Sequence, residues 1–139
     1  MGVGTNILGY ANSRVDQKVS EAIHKGNMST LNCKEEVLLA EKLVNIHPWS
    51  EKARFARTGG EANAIAVRLA RAYTGKDKIA ICGYHGWHDW YLATNIGSDD
   101  NLAPHLLPGL NPLGVPSGLG GTVIPFNFND LEGVKKVLE

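Results

Sequence analysis

The stretch Lys52–Cys82, KARFARTGGEANAIAVRLARAYTGKDKIAIC, decides the fold class. Ala53 and Phe55 alternate against charged neighbours, which predicts a short strand over Lys52 to Ala56. Thr58-Gly59-Gly60 reads as the turn that follows it, because glycine supplies backbone freedom there. From Glu61 to Tyr73 the apolar residues Ala62, Ile65, Ala66, Leu69, Ala70 and Tyr73 recur at helical spacing, with Arg68 and Arg71 outside that stripe. Thr74-Gly75 ends the helix, and Ile79 to Cys82 forms a compact apolar run of the sort buried on both faces of a parallel sheet. Strand, glycine turn, helix, strand is a βαβ unit, so the predicted class is α/β: a mostly parallel sheet with flanking helices.

Working outward, residues 1–50 read as a loop and helices leading into that unit. Ser13 with Asp16 fits a capping box for a first helix carrying Val15, Val19, Ala22 and Ile23, closed by Gly26. Asn32 caps a second helix with Val37, Ala40, Leu43 and Val44, closed at His47-Pro48. On the other side, residues 52–91 hold the βαβ unit and an aromatic run, and residues 102–121 form a long Gly/Pro-rich stretch with no periodicity. Loops of that length are functional or disordered more often than not. Thr122 to Phe126 predicts a further strand, and Asn129-Asp130 caps a last helix with Leu131, Val134 and Leu138 on one face.

Composition excludes several classes of function. The 14 Lys plus Arg balance the 14 Asp plus Glu, so no net charge draws the chain to nucleic acid or an anionic membrane. No apolar run is long enough to span a bilayer, and Met1 to Gly9 lacks the pattern of a secretory leader. Cys33 and Cys82 have neither the spacing nor the density of a disulfide scaffold, which points to a reducing, cytoplasmic setting.

Two runs carry candidate chemistry. In Arg57-Thr58-Gly59-Gly60-Glu61-Ala62-Asn63 a glycine pair opens a helix, where unpaired N–H groups and the positive end of the macrodipole attract phosphate; the same run also serves as an ordinary capped turn. It is neither a Walker A loop nor a dinucleotide fingerprint. Gly83-Tyr84-His85-Gly86-Trp87-His88-Asp89-Trp90-Tyr91 follows the Ile79 strand directly. Ligands of open α/β sheets sit at the carboxyl ends of strands, and aromatic faces there suit a flat heterocycle. Core packing accounts equally for two of the three residues Trp87, Trp90 and Tyr91. His85, His88 and Asp89 also permit a metal site of the kind a hydrolase uses, though three ligands in a loop are a weak metal signal. His24, His47 and His105 stand alone and read as surface or loop histidines.

The order and spacing of the two runs are more specific than either alone. Thr58-Gly59-Gly60-Glu61-Ala62, then Leu69-Ala70-Arg71-Ala72-Tyr73-Thr74-Gly75-Lys76-Asp77-Lys78-Ile79, then Tyr84-His85-Gly86 resemble the class III aminotransferases, which use pyridoxal 5′-phosphate (PLP). The family pattern is Ser-Gly-Thr/Ala-Glu-Ala followed by a helix, a strand and Tyr/Phe-His-Gly. Within the family the chain is most similar to the branch of glutamate-1-semialdehyde 2,1-aminomutase. Ile7-Leu8-Gly9-Tyr10-Ala11, Gly114-Val115-Pro116 and Asn129-Asp130-Leu131-Glu132 extend the likeness to both ends of the chain, the second of them within a stretch that resembles a mobile access loop.

The resemblance implies a partial large domain of the PLP-transferase fold type I over residues 1–139. It implies amino group transfer, by a transaminase or an aminomutase, between a small-molecule amino donor and a carbonyl acceptor. It implies cofactor-binding residues Thr58, Gly59 and Gly60 at the phosphate, with Tyr84 stacked on the pyridine ring and His85 beside it. It also implies a homodimeric full-length protein. Trp87 stands where ornithine-type members carry an arginine, which disfavours their substrates. The aminomutase run Tyr-His-Gly-His-Ala-Asp becomes Tyr84-His85-Gly86-Trp87-His88-Asp89 here, a version similar to aminotransferases found near sugar-nucleotide and surface-polysaccharide pathways, which implies a keto-sugar or related carbonyl acceptor. The family's pyridine-binding acid, in an Asp-Glu-Val run, has no match, since no Asp-Glu pair occurs, and its Schiff-base lysine has none either, since the nine lysines sit on predicted helix surfaces, in turns or at strand starts. No catalytic residue is therefore assigned, and the chain is expected to be an internal fragment, inactive by itself. The alternative expectation is a non-catalytic piece that binds PLP or phosphate or forms a dimer surface.

Overall fold

The computed structural model describes residues 2–26, 30–98, 100–105 and 108–139. The chain divides into two compact units, Met1–Arg54 and Phe55–Glu139.

The first unit holds helices α1 (Ser13–Lys25) and α2 (Lys34–Ile46). The cap of α1 lies one residue before the expected serine: Asn12 accepts from the Val15 amide through Oδ1 at 3.3 Å. Gly26 closes the helix as expected, its N–H donating to the Ile23 carbonyl. The N-cap of α2 is Cys33 rather than Asn32, and the Cys33 N–H donates to Glu36 Oε2 at 3.3 Å. Ala40, Leu43 and Val44 are half-buried, as their spacing predicts, whereas Val37 of the same expected face and Val15, Val19 and Ile23 on α1 stay exposed.

The second unit is built around a parallel pair of strands, β1 (Ile79–Ile81) and β2 (Val123–Pro125), in the register Ile79↔Val123, Ala80↔Ile124 and Ile81↔Pro125. The Ile79 N–H to the Thr122 carbonyl (3.0 Å) and the Phe126 N–H to the Ile81 carbonyl (2.9 Å) extend the ladder at both ends. Residues 52–56 pair with no strand among the described residues, so the first strand of the expected βαβ unit is not formed. Alternation over five residues specifies a strand only when a neighbour takes up its backbone groups.

Helix α3 (Gly59–Thr74) precedes β1 and is the longest in the chain. Its Ala-rich interior favours helix. Thr58 caps it, and Gly75 ends it in the left-handed conformation (φ +67°), donating to the Arg71 carbonyl at 2.9 Å. The face it turns inward is not the expected stripe: Ala64 and Val67 pack on the core, while Leu69 and Tyr73 stay exposed. The helix thus carries two apolar stripes, and spacing alone does not say which one β1 and the core select.

The core comprises Ile81, Trp90, Tyr91, Leu102, Leu110 and Val123, with Tyr84 packed against it. Trp90 and Tyr91 come from the short helix α4 (Asp89–Leu92), and Tyr91 and Leu102 are completely buried. The Gly/Pro-rich stretch 102–121, of which Leu106 and Leu107 lie outside the described residues, contributes Leu102 and Leu110 to that core. The buried Asn95 ties it down: its Nδ2 donates to the Leu110 carbonyl at 2.6 Å and its Oδ1 accepts from the Leu102 N–H at 3.0 Å. Helix α5 (Leu131–Leu138) starts as expected on Asp130, whose Oδ1 accepts from the Gly133 N–H at 2.9 Å. No helix among the described residues is long and apolar enough to cross a membrane.

Candidate cofactor site

At the start of α3 the Thr58 hydroxyl accepts from the Glu61 N–H at 3.1 Å, and the Thr58 carbonyl accepts from Ala62. Glu61 folds its carboxylate back past the cap, Oε2 accepting from the Arg57 N–H at 2.8 Å. That leaves the Gly59 and Gly60 N–H groups with no partner among the described residues. Two unpaired amides at the positive end of a helix dipole are suited to an anion. The Thr58 hydroxyl, already an acceptor, still has its own proton to donate.

The aromatic run reaches this mouth. A Cβ placed on Gly60 would lie 3.1 Å from Cδ2 and 3.3 Å from Nε2 of the His88 ring, and 3.8 Å from the Gly86 Cα. A Cβ on Gly86, whose φ is +101°, would lie 2.9 Å from the Gly60 Cα. The two runs singled out in the sequence therefore meet glycine against glycine, closer than side chains allow. Gly59 has open space around it.

Tyr84 is half-buried and makes edge contacts with Tyr91 (5.7 Å, 85°) and Trp87 (6.3 Å, 76°), so neither neighbour lies flat on its ring. His85 points elsewhere: its Nε2 donates to the Cys82 carbonyl at 2.8 Å, and its ring sits beside Trp90 at 6.3 Å. His85 and Trp90 also line a cleft of about 400 Å³ between α3 and β1, together with Asn63, Ala66 and Phe126. A carbonyl only accepts, so Nε2 carries the proton in this arrangement. The metal reading of His85, His88 and Asp89 fails on this geometry. His85 is turned to the backbone, His88 lies against Gly60, Asp89 opens α4, and no described group of three His, Cys, Asp or Glu is gathered to hold a metal.

His105 is the residue that local pattern missed. Expected in a loop, it is only 6% exposed, and its Nδ1 accepts from the Gly83 N–H at 2.8 Å. Burial, and then the nearby His85, push its pKa below the ordinary histidine value. Nothing in Ala103-Pro104-His105 signals this, because its partner lies 22 residues away in sequence. Burial also pushes the Tyr91 phenol up, the Tyr84 phenol adding to the shift, which keeps its hydroxyl a donor to the Gly83 carbonyl at 3.3 Å.

Comparison with known proteins supplies the family. The profile described as aminotransferase class-III matches residues 1–111. The chain belongs to the class III aminotransferases. The 3-aminobutyryl-CoA aminotransferase of Cloacimonas acidaminovorans is 36% identical over 137 residues, spanning 98% of this chain and 29% of that protein. The glutamate-1-semialdehyde 2,1-aminomutase of Sulfurisphaera tokodaii is 39% identical over 140 residues, spanning 99% of this chain and 32% of that protein. A solved structure of a transaminase with PLP bound superposes with a TM-score of 0.75 at 32% identity, over 94% of this chain and 30% of the other. This class III chain thus shares the fold of PLP transaminases while spanning about a third of the length of the relatives it matches.

PLP, the family's cofactor, fits the residues present. The unpaired Gly59 and Gly60 amides, unobstructed by any Cβ of their own, suit its phosphate, and the Tyr84 ring, with no ring laid flat on it, suits its heterocycle.

Proposed function

We propose that this class III chain supplies the phosphate-binding and ring-stacking half of a PLP site in an enzyme of amino group transfer, a transaminase or a glutamate-1-semialdehyde aminomutase-like enzyme. The observation that carries the proposal is the pair of unpartnered amides at Gly59 and Gly60, brought against the Tyr84-His85-Gly86 turn by the Gly60–Gly86 contact. Bound PLP supplies an electron-withdrawing heterocycle through which an amino group passes from a small-molecule donor to a carbonyl acceptor. Gly59 and Gly60 hold the phosphate by N–H donation along the axis of α3, and Thr58 adds a hydroxyl. Tyr84 offers a ring face to the heterocycle and excludes water from that side. His85 holds the turn on which Tyr84 stands. The whole enzyme is proposed to be a cytoplasmic homodimer, a reading consistent with two unpaired cysteines and with the exposed apolar residues Val15, Val19 and Ile23 on α1.

PLP titration of the purified chain, then borohydride reduction and mass analysis, tests this. Reversible binding with no covalent adduct is expected, and Gly60→Val should weaken it, since a branched side chain there would crowd the Gly86 backbone as well as the His88 ring. A single reduced adduct on one lysine would overturn the half-site reading by showing that the chain carries its own Schiff-base lysine. Absence of any binding would overturn the claim that these residues suffice to hold the cofactor.

A further inference from the structure

The peptide plane between Cys82 and Gly83 is held at both ends by imidazoles. Its carbonyl accepts from His85 Nε2 at 2.8 Å, and its N–H donates to His105 Nδ1 at 2.8 Å. The adjoining groups are held as well: the Ile81 carbonyl accepts from the Phe126 N–H at 2.9 Å, and the Gly83 carbonyl accepts from the Tyr91 hydroxyl at 3.3 Å. Gly83 has φ +91°, so the chain leaves β1 through a conformation that local sterics favour only for glycine. The residue it delivers next is Tyr84. A glycine in that position is free to take many other conformations, so something outside the turn must choose this one.

From this geometry we infer that His105 is a positioning residue for the cofactor ring: by accepting the Gly83 N–H it orients the peptide that sets the direction of the Tyr84 side chain. The inference rests on the PLP reading above and deepens it. The two histidines have opposite roles. His85 is a donor, while His105 acts through a bare ring nitrogen, so its other ring nitrogen carries the proton. His105 is only 6% exposed, so an apolar side chain in its place leaves the Gly83 N–H facing no acceptor on that side. His105 accepts nothing from the phosphate-binding amides, which lie on α3, so its effect should fall on the ring and not on the phosphate.

That split makes the test. The full chain, His105→Leu and His105→Asn are titrated with PLP and, separately, with inorganic phosphate, and the Gly83 amide is followed by hydrogen exchange in the NMR spectrum. His105→Leu removes the acceptor, and His105→Asn keeps a carbonyl oxygen near the same place. The expected result is about a tenfold loss of PLP affinity in His105→Leu with phosphate affinity unchanged, and recovery to within about threefold in His105→Asn. Equal losses for PLP and phosphate, or equal losses in the two variants, would reduce His105 to core packing and overturn the inference. If the unsubstituted chain binds neither ligand, the cofactor reading of the isolated chain fails, and the clamp is judged on exchange alone. Protection of Gly83 in the chain and in His105→Asn, lost in His105→Leu, supports it; the same protection in all three overturns it.

Discussion

Replacing Gly86 by alanine strikes the contact that joins the two halves of the site. At φ +101° a side-chain-bearing residue sits in a sparsely populated region, at a cost of roughly 1–3 kcal/mol. The new Cβ would lie 2.9 Å from the Gly60 Cα, against ~3.5–4.0 Å for carbons in optimal contact, so the turns must part by roughly 0.6–1 Å. Overpacking of that size costs about 1–3 kcal/mol, and because movement relieves part of the backbone strain, the combined expectation is about 2–5 kcal/mol. In urea denaturation, with a slope of about 1–3 kcal/mol per M, the midpoint should fall by roughly 1–2 M. Gly59→Ala is the internal control. A Cβ there meets nothing within 4 Å and the backbone is helical, so its midpoint should hold or rise. Gly60→Ala should fall between the two, since what its Cβ approaches is the exposed ring of His88, which can turn aside. A Gly86→Ala midpoint indistinguishable from that of Gly59→Ala would refute the close approach of the two turns and the site built on it.

Stability should fall with acidity through His105. Its folded pKa is lowered, so the unfolded chain binds the proton more readily: the stabilisation is complete above about 6.5, the unfolded value, and is lost as pH falls through the folded one. Urea midpoints measured across that window should show a slope that His105→Asn removes; an unchanged slope would contradict it. Asn95→Leu should cost about 2–4 kcal/mol by orphaning the buried Leu110 carbonyl and Leu102 N–H, measured as a thermal or urea midpoint. Thr58→Val should lower stability by about 1 kcal/mol through loss of the cap on α3, and Thr58→Asn should restore it, as read by far-ultraviolet circular dichroism on heating.

Local signals in the sequence were reliable where the physics is local. Gly26, Gly75 and Asp130 end or begin helices where their chemistry places them, and Ile79 to Ile81 is a strand, one residue shorter than expected, because a short apolar run after a helix has few other uses. Thr58 was readable as the cap of α3 for the same reason. What depended on a distant partner was not readable. The strand over Lys52 to Ala56 lacked a neighbour, and the inward face of α3 was chosen by the core rather than by the helix's own periodicity. His105 drew its meaning from Gly83, and Leu102 and Leu110 from Asn95, across stretches whose composition suggests only loop.

The imidazole lying against Gly60 also has a bearing on how such chains diverge. Positions 60 and 88 compete for one volume, so a β-carbon at the first requires a smaller or displaced side chain at the second. The two positions should therefore exchange as a pair: Gly60→Thr alone strains the turn, and His88→Ala introduced with it restores the fit. A double-mutant cycle would register that as a coupling energy of about 0.5–3 kcal/mol.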